Sequence, residues 1–532
     1  MNSLPPINST TTNITLNSMD LLPSSTPSSI AILGGGISGL TAAFYLSILL
    51  PSVPITIYES SPHLGGFLST ITLTLPSGED IQFETGPRTL RPGTLESLVL
   101  LDVIQRLELT SSLITTPSKA PEAKNRFIFY PDRLNKLPSS LWGLIPAFFS
   151  LPVLKGALVA ILKEPFRKRR SLDIEDESVA SFFRRRFGGG IATNLVGAVL
   201  HGIFAGDVER LSIKSVFPSL WRKEGQRGSV VRGFMRCGEP LTTPDQELVD
   251  GVGEEAKELK KRMKGVSVLS FKGGIEVLVK SLERELEERE MVTIKRREEV
   301  RGVGYDFVHM KVTTSQGEEQ YSHVISTLPA RILGSFLQLP NDGLSQIPTV
   351  TVLVVNMYFS TPDLVPKGFG YLVPTSVPFS NNPHQLLGCI FDPILPSEPT
   401  GTKLTLMFGG HYWDTRTKFP TEAEAGQMAR ETVNLHLGIL EEPSLVHVTL
   451  QRECIPQYTL GHEQRLHAIR GDLLDRFDGR LAVAGASYRG IGVGSCIRWA
   501  WATARAMARA GKATGLETVG CDTAGWGGAV RV

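Results

Sequence analysis

The stretch that decides the fold is Ser28–Gly66, SSIAILGGGISGLTAAFYLSILLPSVPITIYESSPHLGG. Ile30-Ala31-Ile32-Leu33 is a short apolar run suited to a buried parallel strand. Gly34-x-Gly36-x-x-Gly39 follows at once, and Leu40 to Leu50 then predicts a helix. Gly34 permits the tight turn, Gly36 lets the backbone approach a pyrophosphate, and Gly39 lets helix and strand pack closely. The helix N-terminus offers that pyrophosphate free N–H groups and a positive dipole end. Ile55-Thr56-Ile57-Tyr58 predicts the second strand, and Glu59 closes it about 20 residues after the glycines, where a ribose-binding acid belongs. The stretch is a dinucleotide-binding βαβ unit.

The rest of the chain is built on an ordinary globular scale. At 532 residues two or three domains are expected, and 41% hydrophobic with 20% charged residues excludes a disordered chain. A net charge of +2 gives no support to a nucleic-acid partner. The five cysteines, Cys237, Cys389, Cys454, Cys496 and Cys521, are scattered and odd in number. They predict buried free thiols, with neither a metal site nor a disulfide framework.

The second glycine pair, Gly65-Gly66, separates this unit from a simple nicotinamide dehydrogenase. The arrangement Glu59-x5-Gly65-Gly66 resembles the extended fingerprint of FAD enzymes in the amine oxidase and phytoene desaturase superfamily. Further pieces of such a site occur in the expected order. Val292-Thr293-Ile294 with Val300 resembles the strand whose following valine contacts adenine. His323–Pro329 resembles the strand and turn that return the chain to the dinucleotide domain. Arg480–Ala486, then Gly490-Ile491-Gly492-Val493-Gly494 and a helix from about Cys496 to Ala510, would set a second helix N-terminus against the flavin. Cys496 lacks the Ser-Gly-Gly-Cys context of a flavin tether, so the FAD is expected to be non-covalent.

Phe83-Glu84-Thr85-Gly86-Pro87-Arg88-Thr89-Leu90-Arg91-Pro92 narrows the resemblance to the protoporphyrinogen oxidase family, and Asn125-Arg126-Phe127, Gly202–Asp207, Gly368–Pro374 and Gly485–Tyr488 agree with it. The resemblance implies oxidation of protoporphyrinogen IX to protoporphyrin IX by dioxygen in haem synthesis, with no side chain assigned as catalytic base. It assigns the cofactor to Gly34, Gly35, Gly36, Ile37, Ser38, Gly39, Glu59, Ser60, Gly66 and Phe67 (Phe67 standing where tryptophan is commoner). Gly86, Pro87, Arg88, Thr89, Val300, Gly485, Ile491, Gly492 and Val493 complete that set. It assigns the substrate to Arg126, which would pair with a propionate, and to Gly202, Phe369, Leu372, Ile390 and Met407 around the macrocycle. A coproporphyrinogen III or amine-oxidising flavoenzyme, or a non-enzymatic prenyl-carrier protein of related fold, are the alternatives.

Leu141–Leu162 is apolar and about long enough to span a bilayer, but Pro146, Pro152, Lys155 and Gly156 interrupt it. With Phe166–Arg170 and Arg184–Arg186 it predicts monotopic attachment to membrane lipid, and the resemblance implies the inner mitochondrial membrane. It also allows a homodimer and a contact with ferrochelatase. The Ser/Thr/Asn-rich start carries no Arg-rich presequence. The expected fold is α/β, with a Rossmann-like FAD-binding domain of the p-hydroxybenzoate hydroxylase type in three parts (28–115, 265–330 and 448–515). A helical membrane-binding domain (116–240), an exposed insertion (241–264) and a mixed-sheet substrate domain (331–447) are expected beside it, with a disordered leader (1–27) and a tail (516–532).

Overall fold

The computed structural model describes residues 26–139, 141–171, 173–235, 242–337 and 339–519. Most of the expected leader and tail, Cys237 and Cys521 lie outside these residues.

Ile30–Leu33 is fully buried at the centre of a five-stranded parallel sheet. The strand order is Leu481–Val483, His323–Ser326, Ile30–Leu33, Ile55–Glu59 and Val292–Arg296. Leu33 pairs with Tyr58 on one side and Ser326 on the other, so the strand ends reach the glycine loop together. Helices Ile37–Leu49, Ser97–Arg106 and Val493–Ala510 share one core with one face of that sheet. Both glycine-led helices begin about three residues earlier than their apolar runs suggest, because glycine and serine occupy their first turns.

A second sheet of seven mixed strands runs in the order Leu445–Pro456, Thr349–Phe359, Thr402–Gly409, Leu386–Asp392, Gly370–Leu372, Phe127–Phe129 and Leu134–Lys136. The last two strands come from the region expected to be helical. Phe127–Phe129 has three residues, too few for an alternation to register, and its parallel partner Tyr371–Leu372 lies far along the chain.

Three other expectations are corrected. The segment 242–264 is not an exposed insertion: helices Thr243–Gly251 and Glu254–Arg262 bury Leu248, Ala256 and Leu259 in the core beside Ser97–Arg106. Its many charges occupy the outer face and hide an inward apolar stripe. The end of the chain packs further than expected, with Leu516 and Val519 buried. The basic run Arg184–Arg186 is paired within the protein, and only Arg184 keeps an exposed side chain. Arg184 pairs with Glu209, Arg185 with Glu177 and Glu224, and Arg186, fully buried, with Glu164. The apolar run Leu141–Leu162 forms helix Leu141–Ser150, a turn at Pro152–Leu154 and helix Ala157–Lys163. Among the described residues no helix is long and apolar enough to cross a membrane.

Candidate functional site

Two of the fingerprint glycines do different work. A Cβ on Gly39 would overlap the Gly34 carbonyl oxygen, so Gly39 sets how tightly the helix returns onto its strand. A Cβ on Gly36 would meet no atom within 4 Å. Gly36 therefore leaves space in front of the helix rather than serving packing. It is the N-cap of Ile37–Leu49, and no side chain caps that end, so the first-turn N–H groups, those of Ile37 and Ser38 among them, have no side-chain cap. Glu59 is held at the strand end: Gly35 N–H donates to its Oε2 at 2.9 Å and Ser61 N–H to its Oε1 at 2.8 Å, with the Ser60 hydroxyl 3.4 Å from Oε1. Gly65 N–H donates to the Gly35 carbonyl at 2.9 Å, which brings Gly66 (φ +60°) beside Gly36.

The last third of the chain reaches the same loop. Gly485 (φ +112°) lies where a Cβ would be 3.6 Å from Ser38 Oγ. Gly492 caps Val493–Ala510 in extended conformation, again with no side-chain cap, and half-buried Ile491 precedes it. Two helix ends without side-chain caps, a fixed acid and glycine-cleared space fit a dinucleotide such as FAD. Cys496 is buried, its Sγ 3.8 Å from the Gly490 carbonyl, and burial pushes its thiol up to about 11. A protonated, buried thiol is a poor candidate for a covalent flavin tether.

Gly86 packs on the Phe67 carbonyl, so Gly86, Pro87 and half-buried Thr89 follow the second glycine pair closely, and the Phe67 ring is partly exposed. Arg88 is tied to the second sheet. Its guanidinium binds Asp392 Oδ1 at 3.0 Å, Thr405 Oγ1 at 2.5 Å and the Glu84 carbonyl at 3.1 Å, tying the glycine-rich segment to the second sheet. Val300 is committed to the core with Tyr58 and Met310. The backbone that meets the Glu59 turn belongs to Arg297, whose N–H donates to the Ser61 carbonyl at 3.1 Å, and Glu298, whose N–H donates to that of Glu59 at 2.9 Å.

The second sheet has two distinct faces. Tyr371, Cys389, Phe391, Leu404, Leu406 and Phe408 point into a core shared with helix Glu422–Leu437. The alternate residues Leu372, Ile390 and Met407 therefore lie on the opposite face, with Thr405 and Asp392. Helix Gly197–Phe204 lies over this face, and a Cβ on Gly202 would come 2.8 Å from Leu372 Cδ2. Phe369 N–H donates to the Asn125 carbonyl at 2.9 Å, which sets Phe369 beside Arg126 at the sheet margin. The expected substrate residues are thus gathered around one face and its edge.

Sequence reading missed the residue that fixes this helix. His201 is buried; its Nδ1 donates to the Val373 carbonyl at 2.7 Å, so its Nε2 accepts from His411 Nε2 at 2.9 Å. Burial, then the neighbouring His411, lowers His201 to about 3, so it stays neutral near neutral pH. No local sequence pattern marks it, since both partners lie far along the chain. The larger of two described cavities, about 380 Å³ and lined by Tyr305, Phe336, Arg476 and Phe477 among others, includes none of the residues assigned to cofactor or substrate.

The chain belongs to the flavin-containing amine oxidoreductase family, whose model matches residues 37–508, and within it to the protoporphyrinogen oxidases. Protoporphyrinogen oxidase of Schizosaccharomyces pombe is 37% identical over 492 residues, covering 90% of this chain and 98% of its own. The Homo sapiens protein of that name is 34% identical over 481 residues, covering 88% and 96%. A crystal structure from Exiguobacterium sp. 255-15, provisionally assigned the same name, superposes with a TM-score of 0.71 at 22% identity, covering 90% and 98%. Its likeness bears on the fold. The cofactor is FAD, as the family and the glycine cradle agree.

The two glycines are predicted to fail differently. Gly36→Val should fold normally yet purify without flavin, because its side chain fills the space left for the pyrophosphate. Gly39→Val should fail to fold, since it collides with backbone. Flavin absorbance per chain, read beside far-ultraviolet circular dichroism, checks this; a yellow Gly36→Val protein would contradict the assignment.

Proposed function

We propose that this chain oxidises protoporphyrinogen IX to protoporphyrin IX with dioxygen as final acceptor, on an FAD-binding domain of the p-hydroxybenzoate hydroxylase type. The observation that carries the reading is the apolar face of Leu372, Ile390 and Met407, closed by Gly202 and edged by Phe369 and Arg126. A large flat ligand whose charges are confined to peripheral carboxylates suits such a surface. The family relationship points to the same substrate.

The conversion removes six electrons, so bound FAD would supply three successive two-electron oxidations, with three dioxygen molecules taking the electrons as hydrogen peroxide. The chain's own contributions are binding and orientation. The N-termini of Ile37–Leu49 and Val493–Ala510 take negative charge, and Glu59 takes the ribose hydroxyls. Gly202 lets its helix close against Leu372, and the apolar side chains of Leu372, Ile390 and Met407 exclude water from the substrate face. Asp392, on the same sheet face, is neutralised by Arg88 and held by Thr405, so it is not offered as a base. Orienting the substrate and excluding water are sufficient work for a protein whose cofactor carries the chemistry.

Attachment to one leaflet of a membrane, the inner mitochondrial membrane by family resemblance, is part of the same reading. Val159, Leu162 and Phe166 are exposed on the broken apolar segment, among exposed Lys155, Lys163, Arg167, Lys168 and Arg169. Val230 N–H donates to Glu164 Oε1 at 2.8 Å, bringing exposed Phe234 and Met235 to the same side. Apolar side chains ringed by cations support insertion among anionic head groups.

Purified protein is expected to convert protoporphyrinogen IX to fluorescent porphyrin while consuming dioxygen, and to prefer it to coproporphyrinogen III, which has four propionates instead of two. Equal or greater kcat/KM on coproporphyrinogen III would reverse the substrate assignment. Vesicles containing anionic lipid should sediment the parent protein, and the double variant Leu162→Asp, Phe166→Asp should stay in the supernatant with its flavin intact. Undiminished sedimentation of that variant would remove this surface from consideration.

A further inference from the structure

Gln457 and Tyr458 follow the long strand Leu445–Pro456, and both side chains are buried. The Tyr458 hydroxyl holds the loop that leads to the second helix N-terminus. It donates to the Ala486 carbonyl at 2.5 Å and accepts Gly490 N–H at 2.7 Å, so one oxygen closes both ends of the segment 486–490. Burial keeps this hydroxyl well above the ordinary tyrosine value, so it stays neutral and donates and accepts at once. The Tyr458 ring is stacked on that of His462 at 4.1 Å, and His462 Nε2–H donates to the Tyr488 carbonyl at 3.0 Å, inside the same loop. The loop starts at Gly485, beside Ser38, and runs through Ile491 into Gly492 at the head of Val493–Ala510.

Gln457 holds the opposite wall. Its Nε2 donates to the Phe204 carbonyl at 2.8 Å and to the Ile455 carbonyl at 3.1 Å. Phe204 ends the helix Gly197–Phe204, and the last carbonyls of a helix have no partner within it, so this outside donor fixes where that end sits. Gly206 makes room for the contact, since a Cβ there would collide with Gln457 Oε1. The Phe204 ring meets the Tyr458 ring edge-on at 5.5 Å, and Ile203 and Ile491 pack against the same apolar cluster. The backbone between the two ties is itself anchored: Gln457 N–H donates to the Pro348 carbonyl and Ser212 N–H to the Tyr458 carbonyl, both at 2.8 Å. Consecutive Cα atoms are about 3.8 Å apart, so the end of the substrate-face helix and the cofactor loop are joined through a single peptide unit.

We infer that Gln457 and Tyr458 are positioning residues that together set the gap between the flavin and the substrate face. The inference rests on the porphyrinogen reading above and deepens it. Gln457 fixes the helix that carries Gly202, Tyr458 fixes the loop that ends at Gly492, and the two ties act in series. Oxidation of the substrate requires its reacting atom to approach the flavin to about 3–3.5 Å, and a displacement of about 1 Å costs about a hundredfold in rate. Apolar packing alone has no preferred direction and tolerates such sliding, whereas directed hydrogen bonds at both ends resist it. The bridge therefore governs how fast the flavin is reduced and leaves the hold on either ligand nearly as it was.

The test separates the two half-reactions of the FAD-loaded protein in parent, Tyr458→Phe, Gln457→Met and the double variant. Tyr458→Phe keeps both ring contacts and removes only the two hydrogen bonds; Gln457→Met keeps the chain length and removes the donor. On anaerobic mixing with protoporphyrinogen IX, each single variant should reduce its flavin about tenfold more slowly or worse, with half-saturation nearly unchanged. Reoxidation by dioxygen, after reduction with dithionite, should be little altered, because so small an oxidant needs no substrate wall. Flavin per chain should stay constant. Hydrogen–deuterium exchange, which does not depend on turnover, should quicken across 486–492 in Tyr458→Phe and across 197–206 in Gln457→Met. The double variant should be little slower than the slower single one, because breaking either tie breaks the link. Parent-like flavin reduction in either single variant would overturn the bridge. So would unchanged exchange, an equal slowing of reoxidation, a loss of flavin, an effect confined to half-saturation, or losses that multiply in the double variant. Failure of the substrate reading would appear in the parent itself, as flavin that protoporphyrinogen does not reduce; failure of the bridge alone would appear only in the variants.

Discussion

The structure depends on the approach of three remote chain segments at Gly34–Gly39. Gly39 lets the first helix turn back onto its own strand, where any side chain would strike the Gly34 carbonyl. The Thr327 hydroxyl, nearly three hundred residues on, lies 2.9 Å from the Leu33 carbonyl oxygen and 3.0 Å from that of Gly34. Gly485 closes in from the last third of the chain, beside Ser38 and Thr327. These contacts leave no room for adjustment, and they set both helix N-termini and Glu59 around one volume. A dinucleotide site is assembled because the packing of the sheet requires the same close approach.

A second constraint joins that site to the substrate surface. The seven-stranded sheet spends one face on a core with Glu422–Leu437 and leaves the other for Leu372, Ile390 and Met407. Arg88 fastens the glycine-rich segment to that second face through Asp392 and Thr405. An ion pair held by several hydrogen bonds in a nearly buried place fixes relative position better than apolar contact, which is directionless. His201 and His411 do the same for the helix that carries Gly202. The reacting surfaces are therefore aligned by polar ties between apolar layers.

The sequence disclosed these elements unevenly, for physical reasons. The βαβ unit was legible because apolar run, glycine spacing and closing acid are all local, and the parallel sheet keeps them in register. Gly202, Phe369, Leu372, Ile390 and Met407 were reached through family resemblance, and only the strand pairing explains why they share a surface. Long-range partners were invisible. Nothing near Arg184–Arg186 reveals the carboxylates that neutralise them, so the run read as a lipid-facing patch. The charges of 254–262 masked Ala256 and Leu259, whose spacing is too short to stand out as an amphipathic helix. Val300 packs its side chain in the core with Tyr58 and Met310, and the turn at Arg297, with φ +57°, brings the preceding backbone to Glu59.

The central claim is that one chain holds a flavin and a porphyrinogen in contact. An anaerobic addition of protoporphyrinogen IX to the yellow purified protein tests it most directly, because no later step with dioxygen intervenes. The account predicts that the visible flavin absorbance bleaches as porphyrin appears, and that admitting air restores it. A flavin that stays fully oxidised in the presence of excess porphyrinogen, in protein whose folding and flavin content are intact, would contradict the account.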